Sequence, residues 1–404
     1  MTKNNTEISP KNISFQDTQV AFTTKSDKEL AQTHQLFWLM NYPVLVNWGT
    51  AFTKLALNLQ LPISGLLKRT IFKQFCGGES IQDCEKVIRQ MTQFGVGTIL
   101  DYSVEGEKTD AAFDATVRET IATIQKSAHD EGVPFSVFKV TGLAPFEVLE
   151  NVSNSIREKT DLSENDQIAF AKVRVRVHEI CRIAYENDVR ILIDAEETWI
   201  QEAIDKLVKE MMLKFNRENP IVFNTFQLYT QKALASLKEF YVFCTENQLY
   251  LGAKLVRGAY MEKERERAKK LNYPDPIQPD KTHSDHDFNQ ALEFCAEYWE
   301  KIAVCCASHN EKSNLLLTKL MAQYDIPNNH SHFWFAQLYG MSDNISYNLA
   351  QAGYNVAKYL PYGPVKVVMP YLFRRASENT SIAGQTSREF RLVRQEMQRR
   401  KEQR

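Results

Sequence analysis

The chain has 404 residues, 43% of them hydrophobic and 25% charged, with a formal net charge of −1. This is a soluble globular composition, long enough for one large domain or two. The near-neutral balance supplies no field for nucleic acid, and seven scattered cysteines, an odd number, argue against a disulfide framework or a zinc site. The polar start MTKNNTEISPKNISFQD lacks the apolar core of a signal peptide, and no run of eighteen apolar residues exists to span a membrane. The expected setting is therefore the cytoplasm.

Residues 1–90 read as a helical segment. DKELAQTHQLFWLMN, residues 44–60 and ESIQDCEKVIRQMTQFG all carry apolar residues at three- and four-residue spacing. The most apolar stretch, LFWLMNYPVLVNW at 36–48, is interrupted by Asn41 and Pro43. It reads as a core-packing helix pair, with peripheral contact on the inner face of a membrane as the alternative. Gly95 and Gly97 then break the helical pattern.

Eight short β-branched runs follow, at 98–104, 135–142, 190–198, 221–228, 250–260, 302–310, 333–341 and 354–363. Longer amphipathic stretches separate them. This alternation predicts an α/β fold with parallel strands, and eight units match a closed (β/α)8 TIM-type barrel; an open doubly wound sheet is the alternative. Each run ends in polar residues. In order they are Asp101, Lys139 with Thr141, Asp194 with Glu196, Gln227, Lys254 with Arg257 and Tyr260, His309 with Asn310, Gln337, and Tyr359. A charge in or just after an apolar strand is costly without a partner or ligand. Eight strands ending this way predict a ring of side chains around the mouth where barrel chemistry sits.

The Pro- and Asp-rich segment 272–287 reads as a long loop on that face, of the kind that can act as a lid. The predicted layout is an N-terminal helical segment 1–90, a barrel 91–390 and a basic tail 391–404 whose end reads as a frayed helix.

The stretch KYLPYGPVKVVMPYLFRRASEN, 358–379, predicts a strand end at Tyr359 or Leu360, a turn, and a helix carrying Arg374, Arg375 and Glu378. Two adjacent arginines with a glutamate one turn on form a rigid guanidinium cluster suited to a carboxylate. Taken alone, the same spacing is equally a solvated turn with an i, i+4 ion pair.

These motifs resemble the proline dehydrogenases. KLVRGAY (254–260) is similar to that family's fifth-strand motif. YLPYGPVKVVMPYLFRRASEN is similar to its closing strand and helix, with Tyr359, Arg374, Arg375, Glu378 and Asn379 on motif positions. LIDAEET, VFNTFQLYT, ASHN and QLYGM resemble its intermediate strand motifs in the same order, and the likeness covers roughly residues 65–390. The resemblance implies a distorted (β/α)8 barrel with FAD on its C-terminal face. It implies oxidation of L-proline to Δ1-pyrroline-5-carboxylate, with electrons passed to a quinone, usually at a membrane surface. FAD rests on the resemblance alone, because the sequence has no Rossmann glycine fingerprint.

The resemblance also implies roles. Arg374 and Arg375 would hold the carboxylate, oriented by Glu378. Leu338 would wall the ring, and Tyr359 and Tyr260 would complete the pocket. Lys254 would stand at the flavin N5 edge, although it could instead pair with Asp194 or Glu196 inside the barrel. Asp101 and Lys68 take the positions of an acid–base pair beneath the substrate. Gln227, Val256, Arg257, Gly258, Ala259, Ser308, His309 and Asn310 would line the flavin.

Some relatives fuse an aldehyde dehydrogenase to this barrel. A chain of 404 residues has no room for one, so a monofunctional enzyme feeding a separate pyrroline-5-carboxylate dehydrogenase is expected. Three alternatives stand beside this reading. One is a dehydrogenase of hydroxyproline or another cyclic imino acid, against which Tyr359 would crowd a ring hydroxyl. Another is an inactive amino-acid-binding barrel. The third is a metal-dependent hydrolase using Asp194, Glu196 and His309, weakened by the lack of an HxH pair at a strand end.

Overall fold

The computed structural model describes residues 13–59, 64–102, 108–381 and 385–404. Eight parallel strands close into a barrel in chain order. They are β1 (Val96–Tyr102), β2 (Phe135–Lys139), β3 (Arg190–Asp194), β4 (Val222–Gln227), β5 (Leu251–Val256), β6 (Ile302–Ala307), β7 (Phe333–Leu338) and β8 (Val356–Tyr362). The closing seam runs from Val96 beside Val356 to Tyr102 beside Tyr362. The open-sheet alternative is thereby removed.

Period-two alternation sorts the strand side chains. Ile99, Val137, Leu192, Phe223, Cys305 and Ala357 pack inside the barrel. Ile191, Ile193, Leu255, Val304 and Cys306 pack outward against the helical shell. Continuing the inward series by one step reaches Asp101, Lys139, Asp194, Lys254 and Tyr359 at the strand C-terminal ends. The strands stop sooner than the sequence runs do, so Glu196, Arg257, His309 and Asn310 sit on the loops beyond them.

The segment 272–287 differs from the expected loop. Asp280 accepts hydrogen bonds from the Thr282 and His283 N–H groups and starts a helix, Lys281–Glu297, inside it. What remains is fastened to the end of β4, with Gln278 N–H donating to Tyr229 O at 2.7 Å and Gln231 N–H to Pro276 O at 2.9 Å.

The distortion of the barrel lies in its last helix. Helix Ile81–Thr92, which precedes β1, packs Cys84 and Ile88 against Leu100, Leu360 and Tyr362. It covers the β1–β8 seam, where the helix after β8 stands in a regular barrel. The helix after β8, Val365–Ser381, instead brings Arg374 and Arg375 to the same cavity as the strand ends.

Two expectations for the termini need correction. Helices Asp27–Met40 and Pro43–Asn58 do form, but many of their described apolar side chains are not buried. Within 36–48, Phe37 and Met40 are buried, whereas Trp38, Leu39, Tyr42, Val44, Leu45 and Trp48 are 45–76% exposed. The tail from 391 is not frayed, and a boundary at 390 falls inside helix Gln385–Glu402. Leu392 and Val393 are buried against Ala21, Phe22 and Leu30. Arg400 ties the helix end to the Phe22 and Lys25 carbonyls at 3.0 and 2.9 Å. Among the described residues no helix is long and apolar enough to cross a membrane.

Candidate active site

A cavity of about 680 Å³ opens where the strands end. Its floor is an ionic cluster built by inward alternation. Lys254 Nζ donates to Asp194 Oδ1 and to Tyr359 Oη, each at 2.6 Å. Tyr359 Oη donates to the same Asp194 oxygen at 3.0 Å, and the Lys254 ammonium lies 4.3 Å from the Tyr359 ring centroid. Lys139 Nζ stands 3.2 Å from Asp194 Oδ2 and 3.7 Å from Asp101 Oδ1. Two buried carboxylates thus face two ammonium groups, the balance a dry interior requires.

Burial alone would raise the Asp194 carboxyl. The Lys254 and Lys139 charges outweigh it and hold the group at about 2. Burial, then the Asp194 and Asp101 charges, push the Tyr359 phenol well above its ordinary range, so it remains protonated and a donor. Of the partners considered for Lys254, Asp194 is the one it takes. Glu196 turns away to Thr141, accepting its N–H at 3.0 Å and its hydroxyl. Burial lifts the Glu196 carboxyl to about 7 despite those bonds.

The loop after β5 is held at several points. Arg257 donates to Asp285 at 2.7 Å, Ser308 Oγ at 2.8 Å and Ser313 Oγ at 3.0 Å, with its guanidinium 4.3 Å from the Phe288 ring centroid. Gly258 follows at φ +142°, and a Cβ there would collide with the Tyr229 ring. Gln227 Nε2 donates to Glu196 O at 2.6 Å. Asn310 caps helix Glu311–Gln323, accepting from Lys312 N–H at 2.9 Å and Ser313 N–H at 3.3 Å. His309 Nδ1 meets Ser342 Oγ at 2.8 Å. Burial first, then the Lys358, Arg375 and Arg257 charges, lower His309 to about 3, which favours the neutral imidazole.

The arginine helix is seated by its apolar side. Val365, Val368, Met369 and Leu372 pack with Phe37, Phe72, Phe75 and Met341. Leu338 touches both this cluster and the barrel interior. Arg375 is buried, with its guanidinium 5.3 Å from the Tyr371 ring centroid.

The cavity gathers the site residues read from sequence with few exceptions. Asp101, Gln227, Lys254, Val256, Arg257, Gly258, Ala259 and Tyr260 line it from β1, β4 and β5, and Ser308, His309, Asn310, Leu338, Tyr359, Arg374 and Arg375 from β6 onward. Lys68 is not among them. It begins a short π-helical turn, Lys68–Phe72, and pairs with Glu79, while Lys139 takes the place beside Asp101. The side chains of Glu378 and Asn379 lie outside the described residues. Lys139 was legible as a strand end but carried no assigned role, whereas Asp194 had been weighed as the structural partner of Lys254 that it proves to be. Tyr371, one helical turn before Arg375, was recoverable from i, i+4 spacing. Arg388 lines the cavity from helix Gln385–Glu402 and had no local signal. Among the described residues no three His, Cys, Asp or Glu side chains are grouped as a metal site would need, and Asp194, Glu196 and His309 bond to Lys254, Thr141 and Ser342 respectively.

A closed barrel with charged strand ends and an arginine-bearing helix at one cavity defines an enzyme of the (β/α)8 class with its site at the C-terminal mouth. The family model for proline dehydrogenase matches residues 84–388, and the chain belongs to that family. It is 32% identical to mitochondrial proline dehydrogenase 1 of Dictyostelium discoideum, over 95% of this chain and 74% of that one. It is 30% identical to hydroxyproline dehydrogenase of Xenopus laevis, over 96% of this chain and 90% of that one. Among solved structures, proline utilization A from Bdellovibrio bacteriovorus, inactivated by N-propargylglycine, superposes with a TM-score of 0.69 over 91% of this chain at 19% identity. The chain spans 36% of that protein, and the likeness concerns the fold.

Proposed function

We propose that the protein oxidises L-proline to Δ1-pyrroline-5-carboxylate, using FAD and passing the electrons to a quinone. The observation that carries this reading is the meeting of Arg374 and Arg375 with the Lys254–Asp194–Tyr359 cluster in one cavity.

The residues present suit FAD. The volume of about 680 Å³ falls within the usual range for cofactor and ligand sites. Arg257, Lys281, Lys312 and Arg388 supply cations for a pyrophosphate, and Gln227 and Lys254 supply donors for a polar ring edge. When bound, FAD supplies the hydride acceptor.

The chain does the rest by position and charge. Arg374 and Arg375 grip the substrate carboxylate, and Glu378 orients them. Leu338 walls the ring, and Tyr359 and Tyr260 close the pocket. Lys254 would set a positive charge where negative charge grows during transfer, and Asp194 keeps it aimed. Asp101 takes the substrate ammonium proton, with Lys139 rather than Lys68 as the neighbouring cation. The product is a substrate for a pyrroline-5-carboxylate dehydrogenase.

Hydroxyproline is the second reading, favoured by the 30% identity to the Xenopus enzyme over nearly the whole chain. Proline is preferred because Tyr359 is tethered by Lys254 and Asp194 and cannot swing aside for a ring hydroxyl. The test is turnover of each substrate with a short-chain quinone, trapping the cyclic imine formed. A higher kcat/KM for proline supports the reading. Turnover of hydroxyproline alone, or of neither, contradicts it.

A further inference from the structure

We propose that Glu389, on the C-terminal helix Gln385–Glu402, is a positioning residue for the cavity wall, holding His309 in a single tautomer through the turn at Ser342. The match to the family model ends at residue 388, so this contact lies just past the shared region.

Ser342 is buried and takes a left-handed backbone conformation, φ +52° and ψ +41°. A serine is strained there, and a buried N–H needs an acceptor. Glu389, itself buried, supplies one: its carboxylate accepts the Ser342 N–H at 2.7 Å. With the turn held this way, Ser342 Oγ meets His309 Nδ1 at 2.8 Å, and the Leu338 N–H reaches His309 Nε2 at 3.4 Å. Burial favours the neutral imidazole, which has one donor and one acceptor nitrogen. A backbone N–H only donates, so Nε2 is the acceptor. The proton therefore sits on Nδ1 and is donated to Ser342 Oγ. Both ring nitrogens are engaged within the protein, and the ring is fixed in the wall beside Leu338.

A second tie runs parallel to the first. Arg388, which lines the cavity, pairs with Glu311, and Glu311 also accepts from Asn344 Nδ2 at 2.7 Å. Two neighbouring helix residues thus grip the segment after β6 at Glu311 and the turn after β7 at Ser342. His309 with Ser342, and Glu311 with Asn344, join those two segments directly. The helix is placed from its other side, where Leu392 and Val393 pack on Ala21, Phe22 and Leu30. The N-terminal helices and the cavity wall are therefore linked through Glu389. The tautomer follows from these contacts alone, whereas its effect on turnover rests on the function proposed above.

The test is nitrogen NMR of the full-length protein as purified, labelled in histidine, with the His309 signal identified by its loss in His309→Gln. The wild type should show His309 protonated on Nδ1. Glu389→Leu should give a mixture of tautomers, and Glu389→Gln, which keeps an acceptor oxygen, should restore the single form. Ser342→Gly separates positioning from folding. Glycine takes a positive φ without strain, so the thermal midpoint should not fall, yet the loss of Oγ should still release the tautomer. Ser342→Gly and Glu389→Leu should each lower kcat/KM for proline about tenfold, and the double variant no further, because both act through one contact. A wild-type His309 protonated on Nε2, a tautomer that Glu389→Leu leaves unmoved, or losses that multiply in the double variant would overturn the proposal. A protein that shows the Nδ1 tautomer and its release but does not turn over proline would contradict the function proposed above and uphold the positioning of His309.

Discussion

Lys254 and Asp194 meet at 2.6 Å across the barrel interior, one from β5 and the other from β3, and their partners are unequal. Asp194 has a second cation in Lys139 at 3.2 Å, whereas Lys254 turns to the neutral Tyr359 hydroxyl. Removing one member of a buried pair costs about 3–5 kcal/mol when the other is left uncompensated. Asp194→Asn leaves two ammonium groups without that carboxylate and should approach this cost. Lys254→Met leaves Asp194 with Lys139 and should cost clearly less. Urea unfolding of the two variants measures the difference, and equal losses would contradict the asymmetry.

The two carboxyls respond to pH in opposite senses. Asp194 is depressed from 3.8 to about 2, so its contribution is present above pH 4 and is lost as pH falls toward 2. At the cost of a shifted pKa this is about 2 kcal/mol. Glu196 is raised from 4.5 to about 7. The folded state binds its proton more tightly, so stability from this group is full below about 4.5 and declines as pH rises to 7. Thermal midpoints across pH 4.5–7 should fall for the wild type relative to Glu196→Gln. Parallel curves would place the Glu196 proton elsewhere.

Arg375→Met should raise the Michaelis constant for proline about thirtyfold or more, corresponding to loss of a charge-assisted contact of about 2–5 kcal/mol, with flavin content unchanged. Unchanged proline affinity together with flavin loss would remove the carboxylate-clamp assignment.

Gly340 lies at φ +79° against the Gln74 carbonyl, and Gln74 Nε2 donates back to Gly340 O at 2.8 Å. Gly340→Ala combines a disfavoured backbone angle with a collision and should cost about 1–3 kcal/mol. Limited proteolysis should then cut faster within the N-terminal helices. A cleavage pattern identical to the wild type would show that the turn yields without disturbing them.

The barrel was legible because two independent signals agreed. Strand runs alternated with helical stretches, and polar residues closed each run. Inward alternation also made Lys139 recoverable, since Val137 two residues earlier faces the core. Helix placement was not legible. The spacing of Cys84 and Ile88 announces a buried face but not that it covers the β1–β8 seam, because that choice is made by packing against Leu100 and Leu360. Lys68 was misplaced for a similar reason. Its side chain pairs with Glu79, eleven residues on, which no local pattern reports. The apolar run 36–48 correctly predicted two helices and wrongly predicted their burial, because hydropathy does not say what covers a face.

The most direct measurement is the visible spectrum of the purified protein before and after adding L-proline without oxygen. The account predicts flavin bands that bleach on addition of proline. A colourless protein that stays colourless after FAD is supplied, or flavin bands that proline leaves unchanged, would contradict it.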